Sequence, residues 1–172
     1  MNKLNQSTKN IIFFAIFAIL LGLLVYKMIY SNKSDEVITE GYINFKLKSL
    51  DGKTYSISDF RGKKILINFF ATWCPPCKEE IPNLISYYEE NKNDVIIIGV
   101  DIAEDINKVK QFVKEKGITY PVLLDTQGTI SKAFGFQYIP TSYFLDKTGK
   151  KVNEHSGYLS KSDLIKIFNS IK

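Results

Sequence analysis

One stretch constrains this chain more than any other. Residues 64–82 read KILINFFATWCPPCKEEIP. An apolar run without alternation, as from Lys64 to Ala71, is expected of a strand buried on both faces. Ile81, Leu84, Ile85 and Tyr88 then recur at helical spacing. A strand, a short loop and a helix starting at Cys74 place one thiol at a helix N-terminus, where free N–H groups and the macrodipole favour an anion. A thiolate is the nucleophile in disulfide exchange, so this position activates Cys74. Cys77, in the first turn, is placed to attack a mixed disulfide and release the product.

Other uses of the pair fit less well. Cys74 and Cys77 are the two cysteines of the chain, and His155 is its one histidine. A structural zinc site takes four such ligands, so no metal is expected. Covalent haem attachment needs C-x-x-C-H, but Lys78 follows Cys77, and no cofactor is expected. A disulfide closing so small a loop adds little as a staple of the fold, although a purely structural bridge remains the alternative. His155 falls on a surface hairpin strand without a partner motif, and no catalytic role is expected of it.

The neighbours of the cysteines bear on the direction of reaction. Pro75 and Pro76 have no amide N–H, so two donors to a Cys74 thiolate are absent. A less stabilised thiolate means a more reducing couple. At about 100° per residue, Cys74 and Cys77 share the apolar face of the helix, Glu80 lies at its border beside Cys77, and Glu79 points away. A half-buried carboxyl near two thiols should titrate abnormally and could shuttle protons. The bland alternative is an ordinary boundary residue. Pro82 is expected to kink this helix. Trp73 either caps the site and shapes a docking surface or packs into the core. Phe69, Phe70, Tyr87 and Tyr88 read as core and helix-surface residues.

The rest of the chain supplies a sheet and its helices. Asp51-Gly52 between two short alternating runs signals a hairpin over residues 46–56. A second buried strand is expected over residues 94–101, a helix marked by Ile106, Val109 and Val113 with Asp105 as N-cap, a short strand over 122–124, and a short helix over 129–134. A hairpin flanks the KTGK turn, and Ser160 with Asp163 resembles a capping box for a last helix. Alternating βα units imply an α/β domain, a central mixed sheet flanked by helices, with the hairpin added at its N-terminal side.

Residues 11–26 (IIFFAIFAILLGLLVY) carry no charge, and Met28, Ile29 and Tyr30 extend the run past Lys27. A membrane-spanning helix needs about 20 apolar residues, and a terminal lysine can snorkel. A cleaved signal peptide would have a shorter apolar region and a small-x-small site. The expected organisation is a cytoplasmic N-terminus over residues 1–10, an anchor in the lipid bilayer over 11–30, a polar linker over 31–41 and the domain over 42–172. Lys3, Lys9 and the α-amino group precede the helix with no acid among them, while Lys27 and Lys33, then Asp35 and Glu36, follow it; this modest asymmetry favours a cell-membrane protein with its domain outside. Most of the net charge of +5 resides in the N-terminal segment, because the chain from Asp35 onward carries 19 basic and 18 acidic side chains, a net of +1. No basic stripe points to nucleic acid.

WCPPC after a buried strand, Pro82 in the following helix and Ile139-Pro140-Thr141 before a strand resemble the thioredoxin superfamily. With the anchor and the DGK hairpin, the chain from about Gly41 to Lys172 is similar to the ResA/TlpA branch, which comprises membrane-anchored extracytoplasmic thiol–disulfide oxidoreductases linked to cytochrome c maturation and, in some members, to spore formation. The resemblance implies that Cys74 is the exposed nucleophile and Cys77 the resolving thiol. It implies that the acid at Glu80 influences the thiols, completing a catalytic set of Cys74, Cys77 and Glu80, and that Glu104 is a further acid near the site. It implies a cis peptide before Pro140 and a surface of Trp73, Pro75, Pro76, Ile139, Pro140 and Thr141 that receives an extended substrate strand. One departure is Pro75, where ResA itself carries an acidic residue. The implied partners are a protein bearing a disulfide, such as the haem-binding cysteine pair of apocytochrome c, and a membrane thiol–disulfide electron donor. Competing functions are a reductase of spore or envelope proteins, a disulfide-forming oxidant, a peroxidase and a copper chaperone. The paired C-x-x-C disfavours the peroxidase and the narrow cysteine spacing disfavours the chaperone.

Overall fold

The computed structural model describes residues 5–31 and 37–172, which form two separate compact units. The first is a single helix, α1 (Gln6–Ser31). Its stretch Lys9–Tyr26 is long and apolar enough to cross a membrane, and its large apolar side chains are exposed. The flanking Lys3, Lys33, Asp35 and Glu36 lie outside the described residues.

The second unit begins at Val37, earlier than the linker read over residues 31–41 allows. Val37 is buried, and β1 (Ile38–Thr39) pairs with β2 (Tyr42–Ile43). Glu40 and Gly41, both at positive φ, form the turn between them, the conformation a tight hairpin demands. Two-residue strands are too short to show an alternation, which is why this segment reads as a tether.

Seven strands make the main sheet: β3 (Lys46–Ser49), β4 (Thr54–Ser56), β5 (Lys64–Phe70), β6 (Val95–Ile102), β7 (Val122–Asp125), β8 (Thr141–Leu145) and β9 (Lys151–Ser156). Their spatial order is β4-β3-β7-β6-β5-β8-β9, with β5, β6 and β7 parallel and the outer pairings antiparallel. The expected β3–β4 hairpin is present, and a 3-10 turn over Ile57–Phe60, not anticipated, leads from it into β5.

The helices are α2 (Pro75–Asn91), α3 (Ile106–Lys116), α4 (Thr129–Phe134) and α5 (Lys161–Ser170). The strand alternation divides the core in two. Leu66, Phe70, Ile97 and Phe144 face α2, α3 and α5, whereas Ile65, Ile67, Phe69 and Tyr143 face Phe134 of α4 and the N-terminal strands. Asp105 caps α3, and Ser160 with Asp163 forms the expected capping box of α5. That box fixes the backbone just before α5, and the site depends on it.

Candidate active site

The strand–loop–helix sequence folds as its composition dictates. Cys74 is the N-cap of α2, and Pro75 and Pro76 fill its first two positions, where proline costs the helix no hydrogen bond. Cys74 and Cys77 form a disulfide with their Cα atoms 5.3 Å apart. One donor survives the prolines: the Cys77 N–H points at Cys74 Sγ over 3.3 Å. Helix α2 continues through Pro82 as one element.

Cys74 is not exposed in this state. It is 2 % accessible and Cys77 1 %. The Ile139 carbonyl lies 3.7 Å from Cys74 Sγ, and the Ile139–Pro140 bond is cis. The sulfur is therefore covered by the loop that precedes β8. Trp73 is 61 % exposed, so core packing does not account for it. Pro75 is exposed, Pro76 and Ile139 are half-buried, and Pro140 is buried. Thr141 departs from the expected set. It is buried within β8 between β5 and β9, and its Oγ1 donates to the Tyr138 carbonyl over 2.7 Å, bracing the loop from inside.

Glu80 is fully buried rather than at a border. The buried face of α2 comprises Cys77, Glu80, Ile81, Leu84 and Tyr87, with Ile85 and Tyr88 only partly covered. It is turned toward α5 relative to the face centred on Ile81, Leu84, Ile85 and Tyr88. Tyr87 stacks on Phe168 of α5, which draws that side of the helix inward. Asn68 Nδ2 donates to Glu80 Oε1 over 2.7 Å and to Ser142 Oγ over 3.0 Å. The Leu159 N–H, just ahead of the α5 cap, donates to Glu80 Oε2 over 3.0 Å. Burial pushes the Glu80 carboxyl up to about 7 against the pull of these two donors. Glu79 is exposed, as expected.

Glu104 lies behind the loop that carries Cys74. It accepts from the N–H of Thr72 and, over 2.7 Å, from the Thr72 hydroxyl, and it pairs with Lys108 at 2.7 Å. His155 sits on β9, its Nε2 3.1 Å from the Tyr158 carbonyl.

Sequence reasoning missed Asn68, Ser142, the Leu159 amide and Asp101. Asn68 and Asp101 had a visible signal, each being a polar residue in a buried apolar strand. Ser142 and Leu159 had none, because their partners lie 74 and 79 positions away. Among the described residues no group of His, Cys, Asp and Glu is arranged to hold a metal ion.

Comparison with known proteins agrees with this geometry. Residues 38–153 match the AhpC/TSA family. The thiol-disulfide oxidoreductase ResA of Bacillus cereus (strain ATCC 10987 / NRS 248) is 34 % identical over 163 residues, 94 % of each chain. The chain belongs to the ResA-like thiol–disulfide oxidoreductases of the AhpC/TSA family. Its domain has the thioredoxin-like fold. A solved thioredoxin-family thiol:disulfide interchange protein of Chlorobium tepidum TLS is 33 % identical, with a TM-score of 0.67 over 73 % of this chain and 91 % of that one. StoA from Bacillus subtilis is 29 % identical, with a TM-score of 0.63 over 72 % of this chain and 94 % of its own.

The ResA-like arrangement permits a balanced exchange. In the reduced pair, one thiolate can attack a sulfur of a partner disulfide and expel the other as a thiolate, and the second cysteine, deprotonated, can then attack the enzyme sulfur of the mixed disulfide and release the second partner thiolate. The reverse sequence moves two electrons from a partner dithiol onto the Cys74–Cys77 disulfide.

Proposed function

We propose that this oxidoreductase works as a membrane-tethered, extracytoplasmic reductase of protein disulfides, with the C-x-x-C-H cysteine pair of apocytochrome c as its substrate and a membrane thiol–disulfide protein as its electron donor. The observation that carries the reducing direction is the sparse donor set of Cys74. Pro75 and Pro76 contribute no N–H, leaving the single one of Cys77. A thiolate so weakly stabilised favours the oxidised enzyme and the reduced substrate. Buried Glu80, when ionised, acts in the same sense. Trp73, Pro75, Pro76 and Ile139 form the surface that receives the substrate, with Pro140 beneath it. The length of α1 and the basic residues before it support tethering with the domain outside.

The test uses intact protoplasts supplied with an oxidised, membrane-impermeant C-x-x-C-H peptide. Protoplasts expressing the chain are expected to reduce it faster than protoplasts carrying Cys74→Ser. If only lysates show the difference, the domain is cytoplasmic; if neither does, this peptide class is not the substrate.

A further inference from the structure

The buried acid that the exchange reaction leaves unused is Asp101. It is the penultimate residue of β6, is 1 % accessible, and its Oδ2 has no hydrogen-bond partner. Asp101 stands in register with Phe70 on one side and Leu124 on the other, both apolar. After it the chain turns sharply. Ala103 takes a φ of 55°, a left-handed conformation that a residue with a Cβ seldom adopts, while its N–H donates to the Asp125 carbonyl. That turn brings Glu104 back against Asp101, near enough for the two groups to act on each other.

Glu104 in turn grips the active-site loop, accepting from both the N–H and the hydroxyl of Thr72. Thr72 lies inside the turn closed by the Cys74 N–H on the Ala71 carbonyl, the turn that sets the Cys74 cap. Both Glu104 oxygens are thus committed to the loop, and one also to Lys108. Two adjacent carboxylates would repel each other here, and an ionised Asp101 would leave Oδ2 buried without a donor, an expensive state. A neutral Asp101 removes both problems, because its O–H donates to Glu104.

From this geometry we infer that Asp101 is a positioning residue: it holds a proton that it shares with Glu104, and the pair fixes Thr72 and the loop bearing Trp73 and Cys74. The charged groups acting on Asp101 are Glu104 and Lys108; β5 and β7 face it with Phe70 and Leu124, and the disulfide beyond the loop does not titrate. Burial, and then the hydrogen bond with Glu104 and its charge, push Asp101 well above the carboxylate range, whereas Lys108 and the Thr72 donors outweigh burial and hold Glu104 below it. Loss of the shared proton to solvent at alkaline pH would place two negative charges side by side and loosen the grip on Thr72. The consequence for catalysis rests on Cys74 being the nucleophile; the structural test below does not.

Trp73 is the single tryptophan of the chain and adjoins Thr72. Its emission in the oxidised full-length protein, in detergent micelles, reports on the loop without interference from thiol titration. A step in emission is expected several pH units above the ordinary aspartate value of about 3.9. Asp101→Asn, whose amide donates permanently, is expected to remove the step while keeping the neutral-pH emission. Asp101→Val, which cannot donate, is expected to alter emission throughout. Glu80→Gln is expected to retain the step, which separates it from the other buried acid. Persistence of the step at the same pH in Asp101→Asn would overturn the inference. So would an ordinary aspartate midpoint for Asp101 in a carboxyl 13C titration of the unsubstituted protein, a measurement that needs no variant to fold.

Discussion

Replacing Cys74 by serine is expected to reduce disulfide exchange to the uncatalysed background, whereas Cys77→Ser is expected to stop turnover but accumulate mixed disulfides. The asymmetry follows from position. Cys74 is the N-cap residue, and its sulfur receives the Cys77 N–H. Serine at this position keeps a capping oxygen, so the helix survives while the nucleophile is lost. Cys77 lies one turn inside α2, buried and bonded to Cys74. Without it, the first displacement proceeds and the second does not. Non-reducing gels of the two variants, each incubated with a disulfide-bearing peptide, decide the matter. Adducts on Cys74→Ser and none on Cys77→Ser would reverse the two roles.

Glu80→Gln should have the next largest effect, with two separable readouts. The first is the thiol titration of the reduced protein. An ionised carboxylate on the same buried helix face as Cys77 disfavours a thiolate, and the groups titrate as a coupled set. Removing the charge should lower at least one thiol pKa by about one unit and raise its thiolate fraction at neutral pH several-fold. Glu79→Gln, on the exposed face, is the control. If the Cys74 alkylation-versus-pH curve is the same in both variants as in the unsubstituted protein, Glu80 does not tune the thiols.

The second readout is stability of the oxidised protein. Glu80 has its carboxyl raised from 4.5 to about 7 in the folded state, burial outweighing the Asn68 and Leu159 donors. The folded state therefore binds more protons than the unfolded one between those values. Its contribution is fully present below about 4.5 and is lost as pH rises through about 7, a change of roughly 3 kcal/mol. Denaturant unfolding of the oxidised protein between pH 4 and 8 should show this loss on top of that from Asp101, and Glu80→Gln should make the slope shallower by the Glu80 share. The glutamine can keep the hydrogen bonds if the Asn68 amide turns over, accepting from Gln Nε2 and from Ser142. An unchanged pH slope in the variant would contradict the assigned burial of Glu80.

The parts of this molecule legible in its sequence are those governed by neighbours in the chain. The strand before Cys74, the cap at Asp105, the Asp51-Gly52 turn and the Ser160–Asp163 box each depend on residues a few positions apart. The depth of Glu80 does not. A helical wheel places it only relative to its own helix, and the side of α2 that is covered was settled by Phe168 of α5, 81 positions after Tyr87. The same limit hid the Leu159 amide and the cover over Cys74, since both come from segments that only the sheet order brings near. Asp101 shows a different gap. Its position in a buried strand is plain from VIIIGVD, but its proximity to Glu104 depends on the left-handed turn at Ala103, which alanine does not announce.

The direction of electron flow is the claim most open to direct measurement. The two N–H donors missing at Pro75 and Pro76, which leave only that of Cys77, and a buried carboxyl beside Cys77 both disfavour the thiolate, and both predict a reducing couple. Equilibration of the protein with glutathione buffers of graded potential should give a midpoint near that of thioredoxin, about −270 mV. A midpoint near −120 mV, roughly that of a strong disulfide-forming oxidant, would contradict the account.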